Sequence, residues 1–344
     1  MKSAKTASGR ATIYDVAKLV GVNPSTVSRA LGQPERVSLK TRKLVQDAVA
    51  ELNFNVNPLA RALPTGRTGL VGLIVSDITN PSYFDIIRGA QSAAAVHGTT
   101  LMLAESTESA QTEAIAAQRM QPSTDGIILA GPRMSDPDII ALSEQKPIAV
   151  INRHVDGVDS VVPDIEPGIN AAVRHLAAQG HHKIAFLSGP DQSWISARRW
   201  ECLVACCEWM KRETQLIPTT APTTEGGRIA ARNVRASGAT AAICYNDLLA
   251  IGLMQELQAA AVKVPDDFSV VGIDDIFGSD FTTPALTTIA SPLSECGAAA
   301  LDLVLSALPG SDGNPRVATQ RGLHELRATL LVRGSSGKLV APTQ

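Results

Sequence analysis

Residues Thr12–Leu31 read TIYDVAKLVGVNPSTVSRAL, and this stretch decides the N-terminal architecture. Thr12 opens T-x-x-D, which places Asp15 to close a capping box. Val16, Leu19 and Val20 follow at helical spacing and form an apolar stripe. Gly21 then supplies a left-handed turn. Asn23 is a good N-cap, and Pro24 takes the first helical position, where a missing N–H costs nothing. The second helix, Pro24 to Leu31, buries Val27, Ala30 and Leu31. It leaves Ser25, Thr26, Ser28 and Arg29 outward. Short hydroxyls suit phosphates and base edges, and arginine can pair with guanine through two hydrogen bonds. A helix, a tight turn and a second helix with a polar cationic face imply a DNA reader.

Working outward, residues 1–10 are small, polar and basic, which predicts a disordered arm. A third helix is expected from Ser38 to about Asn53, with Leu44, Val45, Ala48, Val49 and Leu52 closing a small core. Lys40, Arg42 and Lys43 crowd its first turn. That placement opposes the helix dipole unless phosphates lie nearby. Asn55–Leu63 has a cap, a proline and one or two helical turns, too few for a stable helix alone. Pro64–Gly69 breaks it as a linker would. The expected headpiece is therefore 11–56, with a hinge helix and linker at 57–68.

Composition agrees with a split molecule. The chain has 344 residues, too many for one typical core. Its net charge of −2 hides an asymmetry. Residues 1–68 hold 11 of the 31 Lys/Arg and 4 of the 33 Asp/Glu, leaving 20 and 29 for the remainder. A cationic end on an acidic body implies a polyanion partner at the N-terminus only. No run of about 18 apolar residues exists, so no membrane span is expected. The first residues lack the apolar core of a secretory signal. Five cysteines, three of them at 202, 206 and 207, do not form a disulfide scaffold, which predicts a reducing, cytoplasmic setting.

From Gly69 strands and helices alternate, so the body is expected to be α/β with parallel sheets. Apolar runs at Leu70–Ser76, Thr100–Ala104, Gly126–Ala130 and Pro147–Ile151 make a first series. A crossing is expected near Val161–Asp164. Runs at Lys183–Ser188, Ala241–Tyr245 and Ser269–Ile273 belong to a second. The expected core spans 69–335. Its first subdomain takes about 69–161 and 290–320, its second about 162–289 and 321–335, and a tail covers 336–344. Ligands bind at strand carboxyl ends in such folds. The polar residues there are Ser76, Asp77, Asn152, Arg153, Asp164, Ser188, Asn246, Asp247, Asp274 and Asp275. Asp247 and Asp275 are expected to be caps or turn residues.

The run IYDVAKLVGVNPSTVSRAL…VSLKTRKLVQDAVAELNF…NPLARAL resembles the lactose-repressor/galactose-repressor family over nearly the whole chain. The resemblance implies a three-helix headpiece and hinge ahead of a periplasmic-binding-protein-like core of two subdomains. It places Pro24, Ser25 and Arg29 at base-reading positions and Leu63 at the residue that wedges between base pairs. Pro24 has no polar side chain, which limits it to apolar contact. The expected DNA-contacting set is Thr12, Tyr14, Asn23, Pro24, Ser25, Thr26, Ser28, Arg29, Asn57, Ala60 and Leu63. The resemblance also maps Asn246, Asp274, Arg199 and Asp164 to effector contacts, although Ile165 stands where an Asn is usual. Ser82, Tyr83, Arg153 and Trp194 complete the expected effector set.

An Asp–Arg pair with further Asn and Asp groups can bond several hydroxyls at once, which suits a sugar. A nucleobase is the alternative. No catalytic residues, metal or cofactor are expected. The G-x-S-x-G and G-x-G-x-x-G patterns are missing, which argues against an α/β enzyme. The basic headpiece argues against a transported-solute receptor. Two-fold operator recognition implies a homodimer on pseudo-palindromic double-stranded DNA. The end of the chain, RGSSGKLVAPTQ, carries no leucine heptad for larger assemblies.

Overall fold

The computed structural model describes residues 11–32, 34–54, 67–308 and 322–340. The chain divides into two compact units, Met1–Gly69 and Leu70–Gln344.

In the first unit, α1 (Ile13–Val20), α2 (Pro24–Gly32) and α3 (Leu39–Glu51) pack around Val16, Ala17, Val27, Ala30, Val45 and Ala48. The Asp15 carboxylate accepts from the Thr12 backbone N–H at 2.8 Å and from its hydroxyl at 2.7 Å. Those bonds, chiefly the hydroxyl's, hold the Asp15 carboxyl below the usual range. Gly21 takes φ +73°, as the turn requires. Ser38 caps α3 by accepting from Thr41 N–H. Two expectations fail here. Leu19 and Leu44, placed in the core by their spacing, are both about half exposed. Each sits one position off the buried stripe, which a core this small keeps narrow.

The second unit holds two six-stranded sheets. The first contains β1 (Leu70–Val75), β2 (Thr100–Glu105), β3 (Gly126–Ala130), β4 (Ile148–Ile151), β5 (Asp159–Asp164) and β11 (Leu323–Arg327), in the order β11-β5-β4-β3-β1-β2. All its pairings are parallel, with Val75 facing Glu105 on one side and Ala130 on the other. The second contains β6 (Lys183–Leu187), β7 (Glu213–Ile217), β8 (Ala241–Cys244), β9 (Ser269–Ile273), β10 (Thr287–Ala290) and β12 (Thr329–Leu331), in the order β12-β10-β9-β8-β6-β7. Only β12 runs antiparallel there.

Helices α4 (Ser82–Val96), α5 (Ala110–Met120), α6 (Asp136–Gln145) and α11 (Leu293–Ser306) cover the first sheet. Helices α7 (Glu166–Ala178), α8 (Trp194–Trp209), α9 (Thr224–Ala236) and α10 (Asp247–Ala259) cover the second. The strands are near-continuous apolar runs because both faces are covered.

The chain crosses between the sheets three times, after β5, after β10 and between β11 and β12. This corrects the expectation that 321–335 lies wholly in the second subdomain, since β11 joins the first sheet. The expected tail is also shorter. Ser335 and Ser336 are buried, Gly337 N–H donates to Ser269, and Leu339 N–H donates to the Gln179 carbonyl. Residues up to Val340 thus clasp the second sheet.

Candidate functional site

In the first unit α2 presents Ser25, Ser28 and Arg29 to solvent, while Pro24 and Thr26 are half-buried beside Val27. The Arg29 Nε–H donates to the Ser25 carbonyl at 3.2 Å. Its guanidinium is therefore steered along the helix rather than left free. Tyr14 on α1 is 70% exposed. The Asn23 carbonyl accepts from Thr26 and Val27 N–H and starts α2. Thr12 is engaged with Asp15. Asn57, Ala60 and Leu63 lie outside the described residues, as do the arm at 1–10 and the last residues, 341–344.

In the second unit both sheets place their second strand on one side of the first and their third strand on the other. Such a switch point opens a crevice at the strand carboxyl ends. In the first sheet the switch lies between β1 and β3. Ser76 follows β1 and donates to the Gly131 carbonyl at 2.8 Å. Tyr83 is buried in the first turn of α4, and Ser82 beside it is buried too. A Cβ on Gly131 would stand 3.0 Å from the Tyr83 hydroxyl, which explains the glycine. Arg133 follows β3. Its guanidinium lies 2.6 Å from Glu108 and donates to the Gly131 carbonyl, with a side chain 4% exposed. Burial opposes the charge on Arg133, but Tyr245, Glu108 and Tyr83 outweigh it and raise the Arg133 pKa.

In the second sheet the switch lies between β6 and β8. Tyr245 follows β8 with its ring against Gly189, where a Cβ would come within 2.6 Å. Arg199 on α8 is 2% exposed. Its Nη2 donates to Asp274 at 2.8 Å, its Nη1 donates to the Tyr245 carbonyl, and the guanidinium stacks 4.9 Å above the Tyr245 ring. Ser291 also donates to the Asp274 carboxylate. Asp274 has φ +108°, and Asn152, Glu108 and Asp275 also take positive φ at strand ends. Strained backbone held at strand ends is a mark of a binding site. Among the buried polar atoms without a protein partner are the Arg199 Nε donor and, after β4, the Asn152 Oδ1 acceptor with Arg153 Nε and His154 Nδ1 beside it. Each such atom costs about 1–3 kcal/mol, which a polar ligand can restore.

Tyr245 stands close enough to Tyr83 to act on its ionisation; burial first, and then Tyr245, raise the Tyr83 pKa. Both switch points thus offer a crevice at their strand carboxyl ends, where a cleft ligand would sit.

Several expected residues have other tasks. Asn246 is the N-cap of α10: its Oδ1 accepts from Leu249 N–H and its Nδ2 donates to the Pro222 carbonyl, both at 2.9 Å. Asp247, expected to be the cap, is instead fully buried and accepts from Thr288 and from Ile276 N–H. Burial raises its pKa well above the usual range, and Asp274 and Asp275 add to it. Arg153 donates to the Pro132 and Met134 carbonyls and to Asp136 at 2.6 Å, so it ties down the loop after β3. Asp164 ends β5 and accepts from Glu166 N–H. It lines a groove with Arg174, Arg198, Glu325 and Arg327. Trp194 begins α8 half-buried. Arg133, Glu108 and Tyr245 were absent from the expected set. The strand-end rule contained the signal, since each follows a strand by one to three residues.

Residues 12–57 match the family model for bacterial regulatory proteins, lacI family, and residues 173–336 match the periplasmic binding protein-like domain. The transcriptional repressor CytR of Escherichia coli (strain K12) is 30% identical over 340 residues, covering 96% of this chain and 97% of its own. The chain belongs to the lacI family. It is a DNA-binding transcriptional regulator of that family, and its relatives are regulators rather than enzymes. The fold agrees with that membership. The lac repressor dimer bound to operator and the anti-inducer ONPF superposes with a TM-score of 0.84 at 26% identity, covering 95% of this chain and 99% of that one. The regulator CelR in complex with cellobiose gives 0.70 at 26% identity, covering 95% and 100%. Among the described residues no helix is long and apolar enough to cross a membrane, and no cluster suits a metal ion.

Proposed function

We propose that this regulator is a repressor whose operator affinity is set by a small polyhydroxylated effector, a sugar, held in the cleft. The observation that carries the effector reading is the buried Arg199–Asp274 pair with its unpartnered Arg199 Nε. Each guanidinium of the cleft is already matched by a carboxylate, Arg199 by Asp274 and Arg133 by Glu108. A neutral ligand rich in hydroxyls adds hydrogen bonds without leaving a buried charge unpaired. Cellobiose in CelR supports the same class. Arg199, Asp274, Tyr83, Ser82 and Trp194 are assigned to the pocket. Asn246 and Arg153 shape its walls, whereas Asp164, expected among the effector contacts, faces the separate groove at the joint.

On the DNA side, Ser25, Ser28, Arg29 and Tyr14 are assigned to the operator, with Thr12, Asn23, Pro24 and Thr26 setting their presentation. Asn57, Ala60 and Leu63 are assigned to a hinge that enters the minor groove. Two copies bind a pseudo-palindromic operator, as the lac repressor dimer binds its own. A DNA partner fits a cytoplasmic regulator, and that is the compartment assigned to it. Effector shifts the cleft between two states, and operator affinity changes by a factor that DNA must return to the effector.

The test is thermal unfolding against a panel of sugars, sugar phosphates and nucleobases. A ligand at 100 times its Kd stabilises by about 2.7 kcal/mol. A neutral sugar is expected to shift the transition, and the D274N variant to lose that shift. Stabilisation by nucleobases alone would overturn the effector class.

A further inference from the structure

Away from the cleft, α7 and α8 lie side by side and enclose a groove of about 410 Å³, flanked by Glu166, Arg174, Arg198 and Trp209. It continues into a second space of about 590 Å³ lined by Asp164, Arg198, Glu325 and Arg327. Asp164 and Arg327 end β5 and β11 of the first sheet, whereas Arg174 and Arg198 stand on helices that cover the second. The groove therefore spans the joint where the chain crosses between sheets. Two crossing segments are bonded there, Ala328 N–H donating to the Asp164 carbonyl at 3.0 Å.

Charges of both signs line the groove, and they are loosely held. Arg198 approaches Glu166 at 3.7 Å and Glu201 at 4.0 Å, with all three side chains well exposed. Such pairs contribute little and exchange readily for a ligand. Arg174 lies 5.7 Å from the centre of the Trp209 ring. Among the described residues no ion pair holds Arg174 or Arg327. The Cys202 and Cys206 thiols line the α8 side, and burial pushes both pKa values up, Cys202 to about 11. They present a neutral, soft surface. A pure anion here would meet Asp164, Glu166, Glu201 and Glu325, and a pure cation would meet three guanidiniums. A ligand carrying one charge of each sign satisfies both sets.

We propose that this groove is a second ligand site, for a small zwitterion of the α-amino acid class. Its carboxylate sits on Arg174 and Arg198, and its ammonium group faces Asp164 and Glu325. Such a ligand touches groups on both sides of the joint. Opening or closing the cleft turns one sheet against the other and changes the separation of those groups. The ligand then binds the two states unequally and shifts their populations. The cleft effector and the groove ligand must alter each other's affinity by one common factor.

The experiment is thermal unfolding of the full chain with each of the twenty standard L-α-amino acids singly, with inorganic phosphate and D-ribose as controls. Two variants accompany the wild type: R198Q/R327Q, which removes exposed charges, and A205W, which fills the groove and leaves its charges in place. At least one amino acid is expected to raise the wild-type transition by roughly 3 °C at saturation. Both variants are expected to lose that shift while still unfolding cooperatively. A shift that survives in both variants would place the amino acid elsewhere and overturn the site. No shift with any amino acid, or a shift with phosphate alone, would overturn the ligand class.

Discussion

At the residue scale the cleft turns on side chains that serve packing and recognition together. Tyr245 is pinned by Gly189 beneath it and Arg199 above it, and its hydroxyl lies 3.3 Å from Ser193. From that fixed position its phenol bears on the ionisation of Arg133 and Tyr83, which belong to the other sheet. An interaction that strengthens as the halves approach would favour the closed state. A double-mutant cycle with Y245F, Y245A and R133Q, read by chemical denaturation and by the affinity of the identified effector, measures it. If the two residues act together, the pair is expected to be coupled by roughly 0.5–3 kcal/mol, the range for coupled neighbours. Additive losses would mean that Tyr245 serves its own half alone. The sequence carried part of this. Arg199 and Asp274 were found through a family resemblance, and they do form one buried pair. Asn246, expected at the effector, caps α10, and Asp247, expected to cap, enters the core instead. Adjacent polar residues at a strand end look alike in sequence, and only the direction of each Cβ decides which one caps the helix and which one enters the core.

At the element scale glycines fix how closely helices approach. A Cβ on Gly252 of α10 would come within 1.9 Å of the Thr224 carbonyl oxygen, and one on Gly227 of α9 within 2.2 Å of the Leu249 carbonyl oxygen. The α4–α11 contact repeats the arrangement, with Gly89 against Ser294 and Gly297 against Ile86. Backbone cannot retreat as a flexible side chain can, so G252A is expected to destabilise the core by about 3 kcal/mol or more. Urea unfolding checks it: the midpoint should fall while the slope stays constant. An unchanged midpoint would mean that α9 and α10 slide apart freely. These glycines were not legible as contacts, because a glycine inside a helical pattern signals only weakness until its neighbour is known. The apolar strands were legible, since buried parallel strands are continuous runs. β11 was not. Its sequence, LHELR, is mostly exposed at a sheet edge and lacks both the apolar run and the clean alternation that mark a strand.

At the scale of the whole molecule two features bear on assembly and conditions. Phe277 and Phe281 are 73% and 69% exposed and meet edge to face at 5.1 Å. A paired aromatic surface left to water suits a subunit contact, and two-fold operator binding needs one. F281D is expected to lower the dimer fraction in sedimentation velocity, and an undiminished dimer would place the interface elsewhere. The second feature is the clasp of the C-terminal residues on the second sheet. His181 is fully buried, within 2.9 Å of both Thr240 and Ser269 and 3.2 Å of the Gly337 carbonyl. His175 meets Ser336 at 2.9 Å. Burial lowers both histidine pKa values. In the unfolded chain they titrate near the usual value of about 6.5. Below that value the unfolded state binds more protons than the folded one, so stability falls as pH falls; above it both forms are neutral and the contribution is flat. Asp247, with its raised pKa, acts with the opposite sign. It is present in wild type and H181N alike, so its effect cancels in their difference. The wild-type unfolding temperature is therefore expected to drop between pH 7.5 and 5.5 by more than that of H181N, which starts lower but has lost one of the titrating groups. Parallel pH profiles would mean that His181 accepts a proton in place and that the clasp is indifferent to it.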